Sequence, residues 1–122
     1  MDLKLTEAEK DIMEILWKNE KAFMKDILEE FEDPKPAPTT IATLLKRMQT
    51  KKMVDYKMYG NSREYFPTVK KEEYFSKEMN SMITRFFNNS VTQFASFFTA
   101  NSKLSQKQLK ELRDMIEQQI EE

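Results

Sequence analysis

Thr39, Thr43, Lys46, Arg47 and Thr50 recur at a spacing that places their side chains on one side of a helix. They are short hydroxyl groups and cations with no acid among them. Hydroxyls and methyls suit the edges of nucleic-acid bases, and ammonium and guanidinium groups suit phosphates. Lys51 and Lys52 follow directly and extend the phosphate-binding set. Other chemistries lack their residues. The 122-residue chain has no Cys and no His, which excludes thiol nucleophiles, disulfides, histidine triads and nearly all zinc sites. A single glycine, Gly60, excludes glycine-rich phosphate loops. The acidic run Glu29-Glu30 with Glu32-Asp33 lacks the ordered spacing of a calcium loop and reads as a solvated helix end. The expectation is a non-enzyme with no catalytic residues, no metal and no cofactor.

Charge supports the same reading. From Lys35 to Lys71 the cations are Lys35, Lys46, Arg47, Lys51, Lys52, Lys57, Arg63, Lys70 and Lys71, opposed only by Asp55 and Glu64, a net +7. The whole chain carries -1, so the remainder carries -8. A basic middle between acidic ends suggests one face turned to a polyanion, although a lysine-rich stretch can also be simply solvated. Hydrophobic residues make up 39% and aromatics 11%, too apolar for a disordered chain. A mean hydropathy of -0.73, with no long apolar run, argues against membrane insertion. The opening Met1-Asp2-Leu3-Lys4 has no signal-peptide character, so a cytoplasmic protein is expected.

The elements that must position these residues are legible in order. Thr6 and Glu9 form a capping box for a first helix with Ala8, Ile12, Ile15 and Leu16 inward, widened by Met13 and Trp17. Met24, Ile27, Leu28 and Phe31 mark a second helix, ended by Pro34, Pro36 and Pro38. A third helix starts at Pro38 or Thr39, with Ile41, Leu44, Leu45 and Met48 inward and the threonine-lysine face outward. Val54 to Tyr59 and Ser62 to Phe66 flank Gly60-Asn61 as a hairpin. Three helices followed by a hairpin give the order of a winged helix-turn-helix. The fold expected is mainly α with a small β-hairpin: a winged-helix DNA-binding domain over 1–70 and a helical dimerisation domain over 71–122.

The last third carries Tyr74, Phe75, Met79, Met82, Ile83, Phe86 and Phe87 on one helix, then Val91, Phe94, Ala95 and Phe98 on the next. Asn88-Asn89-Ser90 separates them. Ser105 with Gln108 caps a final helix bearing Leu109, Leu112, Ile116 and Ile120, with fraying expected at Glu121-Glu122. So small a unit rarely buries this much apolar surface alone. Either it packs against the winged helix or a second copy supplies the missing core, and dimerisation is the preferred reading.

Leu5-Thr6-Glu7-Ala8-Glu9, Ile12-Met13 and Leu16-Trp17, the run Pro38-Thr39-Thr40-Ile41-Ala42-Thr43-Leu44-Leu45-Lys46-Arg47-Met48, Lys51-Lys52-Met53-Val54, Gly60 and Tyr65-Phe66-Pro67 together resemble the BlaI/MecI/CopY family of penicillinase-type repressors. Arg85-Phe86-Phe87-Asn88 and Leu104-Ser105 onward resemble its dimerisation helices. The resemblance implies a homodimeric repressor of transcription on an inverted-repeat operator. It implies Thr39, Thr40, Thr43, Lys46 and Arg47 facing DNA, with Lys57, Asn61 and Arg63 in or near the wing. Dimerisation would fall to Phe75, Met79, Met82, Phe86, Phe87, Phe94, Phe98, Leu109, Leu112 and Ile116. In the β-lactam-responsive branch a membrane sensor-protease triggers cutting in the dimerisation region, here near Ser96-Phe97-Phe98. The copper-responsive branch needs a cysteine hook, which this chain lacks. The rival reading is a winged-helix protein-interaction module without DNA binding.

Overall fold

The computed structural model describes residues 4–120. Thr6 opens α1 (Glu7–Asn19): its hydroxyl oxygen accepts from the Glu9 amide at 3.2 Å, and Glu9 Oε1 accepts from the Thr6 amide at 2.8 Å. Two amides of the first turn are thereby satisfied within the box. The inward face is Glu9, Ile12, Met13, Ile15 and Leu16. Ala8, expected on that face, is exposed, and a carboxylate takes the inward position instead.

Glu9 is tolerated there because its charge is matched. Lys51 Nζ donates to Glu9 Oε1 at 2.6 Å and to the Lys4 carbonyl at 2.9 Å. Burial alone would raise the carboxyl pKa. The Lys51 hydrogen bond, reinforced by Thr6, outweighs it and holds Glu9 below its ordinary value.

Chain reversal at Glu20, with φ of 69°, leads into β1 (Ala22–Phe23) and α2 (Met24–Glu29). The Phe23 amide donates to Asp26 Oδ2 at 3.0 Å, opening α2. The helix stops before Phe31, whose ring nonetheless packs on the core. Lys35 Nζ closes its C-terminal end, donating to the carbonyls of Phe31 at 2.7 Å, Leu28 at 3.2 Å and Glu29 at 3.3 Å. Then α3 (Pro38–Thr50) starts on its proline, with Ile41, Leu45 and Met48 buried.

Antiparallel β2 (Val54–Tyr59) and β3 (Ser62–Pro67) pair from Val54↔Pro67 to Tyr59↔Ser62. Gly60 turns between them at φ of +61°, a conformation glycine adopts without a Cβ clash. β1 pairs with the far side of β3, giving a three-stranded sheet in the order β1-β3-β2. The core joins Ile12, Met13 and Leu16 of α1 to Ile27, Ile41, Leu45 and Met48, closed by Val54 and Tyr65. Trp17 Nε1 donates to the Val69 carbonyl at 2.8 Å, tying α1 to the segment after the sheet.

The described chain forms two compact units, one ending at Ser76 and the other beginning at Lys77. The division lies within α4 (Lys71–Phe86), not at its start. In the second unit, Ser90 caps α5 (Val91–Asn101), and Ser105 and Gln108 form a second capping box for α6 (Gln106–Ile120). Asn88 and Asn89, at φ of 53° and 57°, break the helical path before Ser90. Phe87, Phe94 and Phe97 cluster at centroid distances of 5.3 to 5.5 Å. No residue of α5 or α6 is buried. Glu121 and Glu122, where fraying is expected, lie outside the described residues.

Glu9 is held ionised, so its contribution to stability is complete above its ordinary value of 4.5 and is lost as the pH falls through the lower, folded value. Glu9→Gln, which strands the Lys51 ammonium, should cost about 1–3 kcal/mol at pH 7 in urea denaturation. The gap between variant and parent should narrow as the pH falls below 4.5, because the parent carboxylate then protonates as well. A gap of constant size across that range would contradict the role given to the charge.

Candidate nucleic-acid interface

Thr39, Thr40, Thr43, Lys46 and Arg47 all lie on the exposed side of α3, opposite buried Ile41, Leu45 and Met48. The helix contains no acid, so nothing on it competes for the cations. Two of its threonines bond back to the helix. Thr43 Oγ1 donates to the Thr39 carbonyl at 3.0 Å and Thr50 Oγ1 to the Lys46 carbonyl at 3.2 Å. With their protons used inside the helix, these hydroxyls offer outward only an acceptor oxygen and a methyl group. That pairing fits an exocyclic amine on one base and a thymine methyl on another.

The hairpin adds a second cationic element. Lys57 stands opposite Glu64 across the ladder and is exposed. Arg63, also exposed, holds its guanidinium 4.5 Å from the centroid of the Tyr56 ring, which steers it along the hairpin. Asn61, Ser62 and Arg63 line a cleft of about 520 Å³ together with Pro38 at the start of α3 and Lys25 of α2. The cleft therefore brings the hairpin turn, the first turn of α3 and α2 to one place. Lys25, exposed on α2, is a cation that the sequence reading missed because it precedes the basic segment.

Two basic residues are removed from the set. Lys51, expected to contact phosphate, is half-buried with its ammonium committed to Glu9 and the Lys4 carbonyl. Leaving that site would strand a buried carboxylate, so Lys51 is a structural cation of the first unit. Lys35 is similarly spent on the end of α2. Lys46, Arg47, Lys52, Lys57 and Arg63 remain exposed.

Of the residues expected to dimerise, Met79, Met82, Phe86, Phe98 and Ile116 are exposed, with Phe86 at 69%. Phe87, Phe94, Leu109 and Leu112 are half-buried. Phe75 belongs to the first unit, where its ring lies 5.7 Å from Trp17 and 5.2 Å from Tyr74. Val91, Phe97, Met115 and Ile120 widen the exposed apolar surface of the second unit. Among the described residues no three acids gather to hold a metal, and no helix is long and apolar enough to cross a membrane.

Comparison with known proteins gives a consistent assignment. The family model for the penicillinase repressor matches residues 5–118. The chain is 24% identical over 116 residues to a penicillinase repressor of Bacillus licheniformis, covering 94% of this chain and 91% of that one. It is 26% identical over 114 residues to the methicillin resistance regulatory protein MecI of Staphylococcus aureus strain N315, covering 93% of each. In fold it is similar to the solution structure of the DNA-binding domain of the repressor BlaI, with a TM-score of 0.51 and 24% identity, over 58% of this chain and 88% of that domain. Matched by that family model over nearly its whole length and carrying a winged-helix unit, the chain belongs to the penicillinase repressor family.

Proposed function

We propose that the chain is a DNA-binding repressor of transcription that occupies an inverted-repeat operator as a homodimer. The observation that carries this reading is the acid-free outer face of α3, where Thr39, Thr40, Thr43, Lys46 and Arg47 stand exposed on a helix fixed by its buried side. In this reading α3 enters the major groove, with its threonines at base edges and Lys46 and Arg47 at phosphates. Arg63, Lys57 and Asn61 follow the flanking backbone from the hairpin. The names of the relatives, repressors and a resistance regulator, support the same assignment.

The second unit supports dimerisation. Its three helices leave large apolar groups in water, and a two-fold copy would cover the same patch on both chains. Two linked half-sites gain affinity that one lacks, so loss of the dimer releases the operator. Derepression by a membrane sensor-protease would then act on α5, where Ser96, Phe97 and Phe98 lie exposed. A cytoplasmic location follows from this function.

Selection of random duplex DNA on the purified chain should recover an inverted repeat whose half-sites are about one helical turn, or a multiple, apart. Recovery of no motif by a folded dimer would favour a protein-interaction module instead.

The selected duplex then separates the cations. Arg47→Ala should weaken binding to every sequence and lower the slope of log affinity against log salt by about one. Lys51→Ala should destabilise the fold and leave that slope unchanged in the folded fraction. Equal slope changes in both variants would contradict the division of roles.

A further inference from the structure

A groove of about 1220 Å³ lies wholly within the first unit and shares no residue with the outer face of α3 or with Lys57, Asn61 and Arg63 of the hairpin. Its floor is apolar: Ile15 and Trp17 of α1, Phe31 beyond α2, Pro67 at the end of β3 and Val69 after the sheet. Its rim is acidic, formed by Asp11 and Glu14 of α1, Glu30 and Glu32 beyond α2, and Glu72 and Glu73 of α4.

The rim charges do not cancel. Lys18 is bonded to Glu30 at 3.0 Å, and Lys71 lies 3.9 Å from Glu14. Among the described residues Asp11, Glu32, Glu72 and Glu73 have no ion pair, and Lys70 is the one rim cation left to face them. The remaining field is that of three net negative charges over an apolar floor, in a concavity that concentrates it. This is the reverse of the basic hairpin and α3.

Trp17 sets the chemistry at the floor. Its indole N–H is already donated to the Val69 carbonyl, so what it can offer a ligand is ring surface and no hydrogen bond. Tryptophan gives the strongest cation–π surface of any side chain. An anion would meet the unpaired carboxylates, and a neutral apolar molecule would leave their field unused. A compact organic cation with an aromatic or alkyl body matches both parts at once.

We propose that this groove is a binding site for a small organic cation, its charged nitrogen held between the rim carboxylates and its apolar body against Trp17 and Phe31. At about 1220 Å³ the groove exceeds the roughly 300–1,000 Å³ of most small-molecule sites, so a drug-sized cation fills part of it, at Trp17 and Phe31, and water the rest. The proposal does not depend on DNA binding.

Trp17 is the single tryptophan of the chain, so its emission reports on the groove directly. The full chain is titrated with benzyltrimethylammonium and, in parallel, with benzenesulfonate as the anionic counterpart. The cation should give a saturable change in Trp17 emission that weakens with added salt, and the sulfonate none at the same concentration. Asp11→Asn with Glu32→Gln, two exposed positions, should raise the Kd for the cation at least fivefold while circular dichroism stays native. If that pair fails to fold, Glu72→Gln with Glu73→Gln should show the same rise. An equal response to both ions, no saturable response to the cation, or an unchanged Kd in a folded variant would overturn the proposal. Emission that shifts on dilution of the protein and never with the cation would also overturn it, assigning the groove to a second copy of the chain.

Discussion

One ion pair fixes the geometry on which the first unit depends. Glu9, fully buried in the capping box of α1, accepts from Lys51, the residue that ends α3. The two residues are 42 positions apart, yet their contact determines where the last turn of α3 stands against the first turn of α1. The same ammonium reaches the Lys4 carbonyl and closes the segment ahead of α1. A buried carboxylate whose charge is matched by a single cation is costly to leave unmatched, so alternative seatings of α3 that part the pair are disfavoured. Among the described residues Glu9 Oε2 has no hydrogen-bond partner, which leaves the compensation on Oε1.

With that end held, the remaining surface of α3 is free to carry function. Ile41, Leu45 and Met48 bury one side, and the other side displays hydroxyls and cations without opposing acids. Threonines that bond back to their own helix lose rotational freedom before any partner arrives, so less order has to be created on binding. The hairpin is stiffened in the same manner by the Arg63–Tyr56 contact and the Phe23–Tyr59 edge contact. Both elements thus meet a partner already shaped.

Much of this was legible in the sequence because it is local. Thr6 with Glu9, Ser105 with Gln108, Pro38 at a helix start and Gly60 in a tight turn each act through neighbours within a few residues. The threonine-lysine face followed from helical period alone. What was hidden depends on distant partners. β1 is two residues long, too short to show alternation, and exists because β3 offers it a ladder. Glu9 reads only as a capping-box residue and Lys51 as a phosphate contact until the fold joins them. Lys35 counts toward the basic segment although its charge is spent on the end of α2. Phe31 fits the apolar period of α2 yet lies beyond it, where the chain has turned toward the prolines.

In the proposed function the outer face of α3 and the hairpin together form the DNA interface. The most direct test is an NMR titration of the isotope-labelled full chain with a duplex bearing its selected operator. The largest amide shifts should fall on Thr39 to Thr50 and on Lys57 to Arg63, with Asp11 to Trp17 of α1 little changed. Shifts concentrated on α1 or on α5 and α6, with α3 silent, would contradict it.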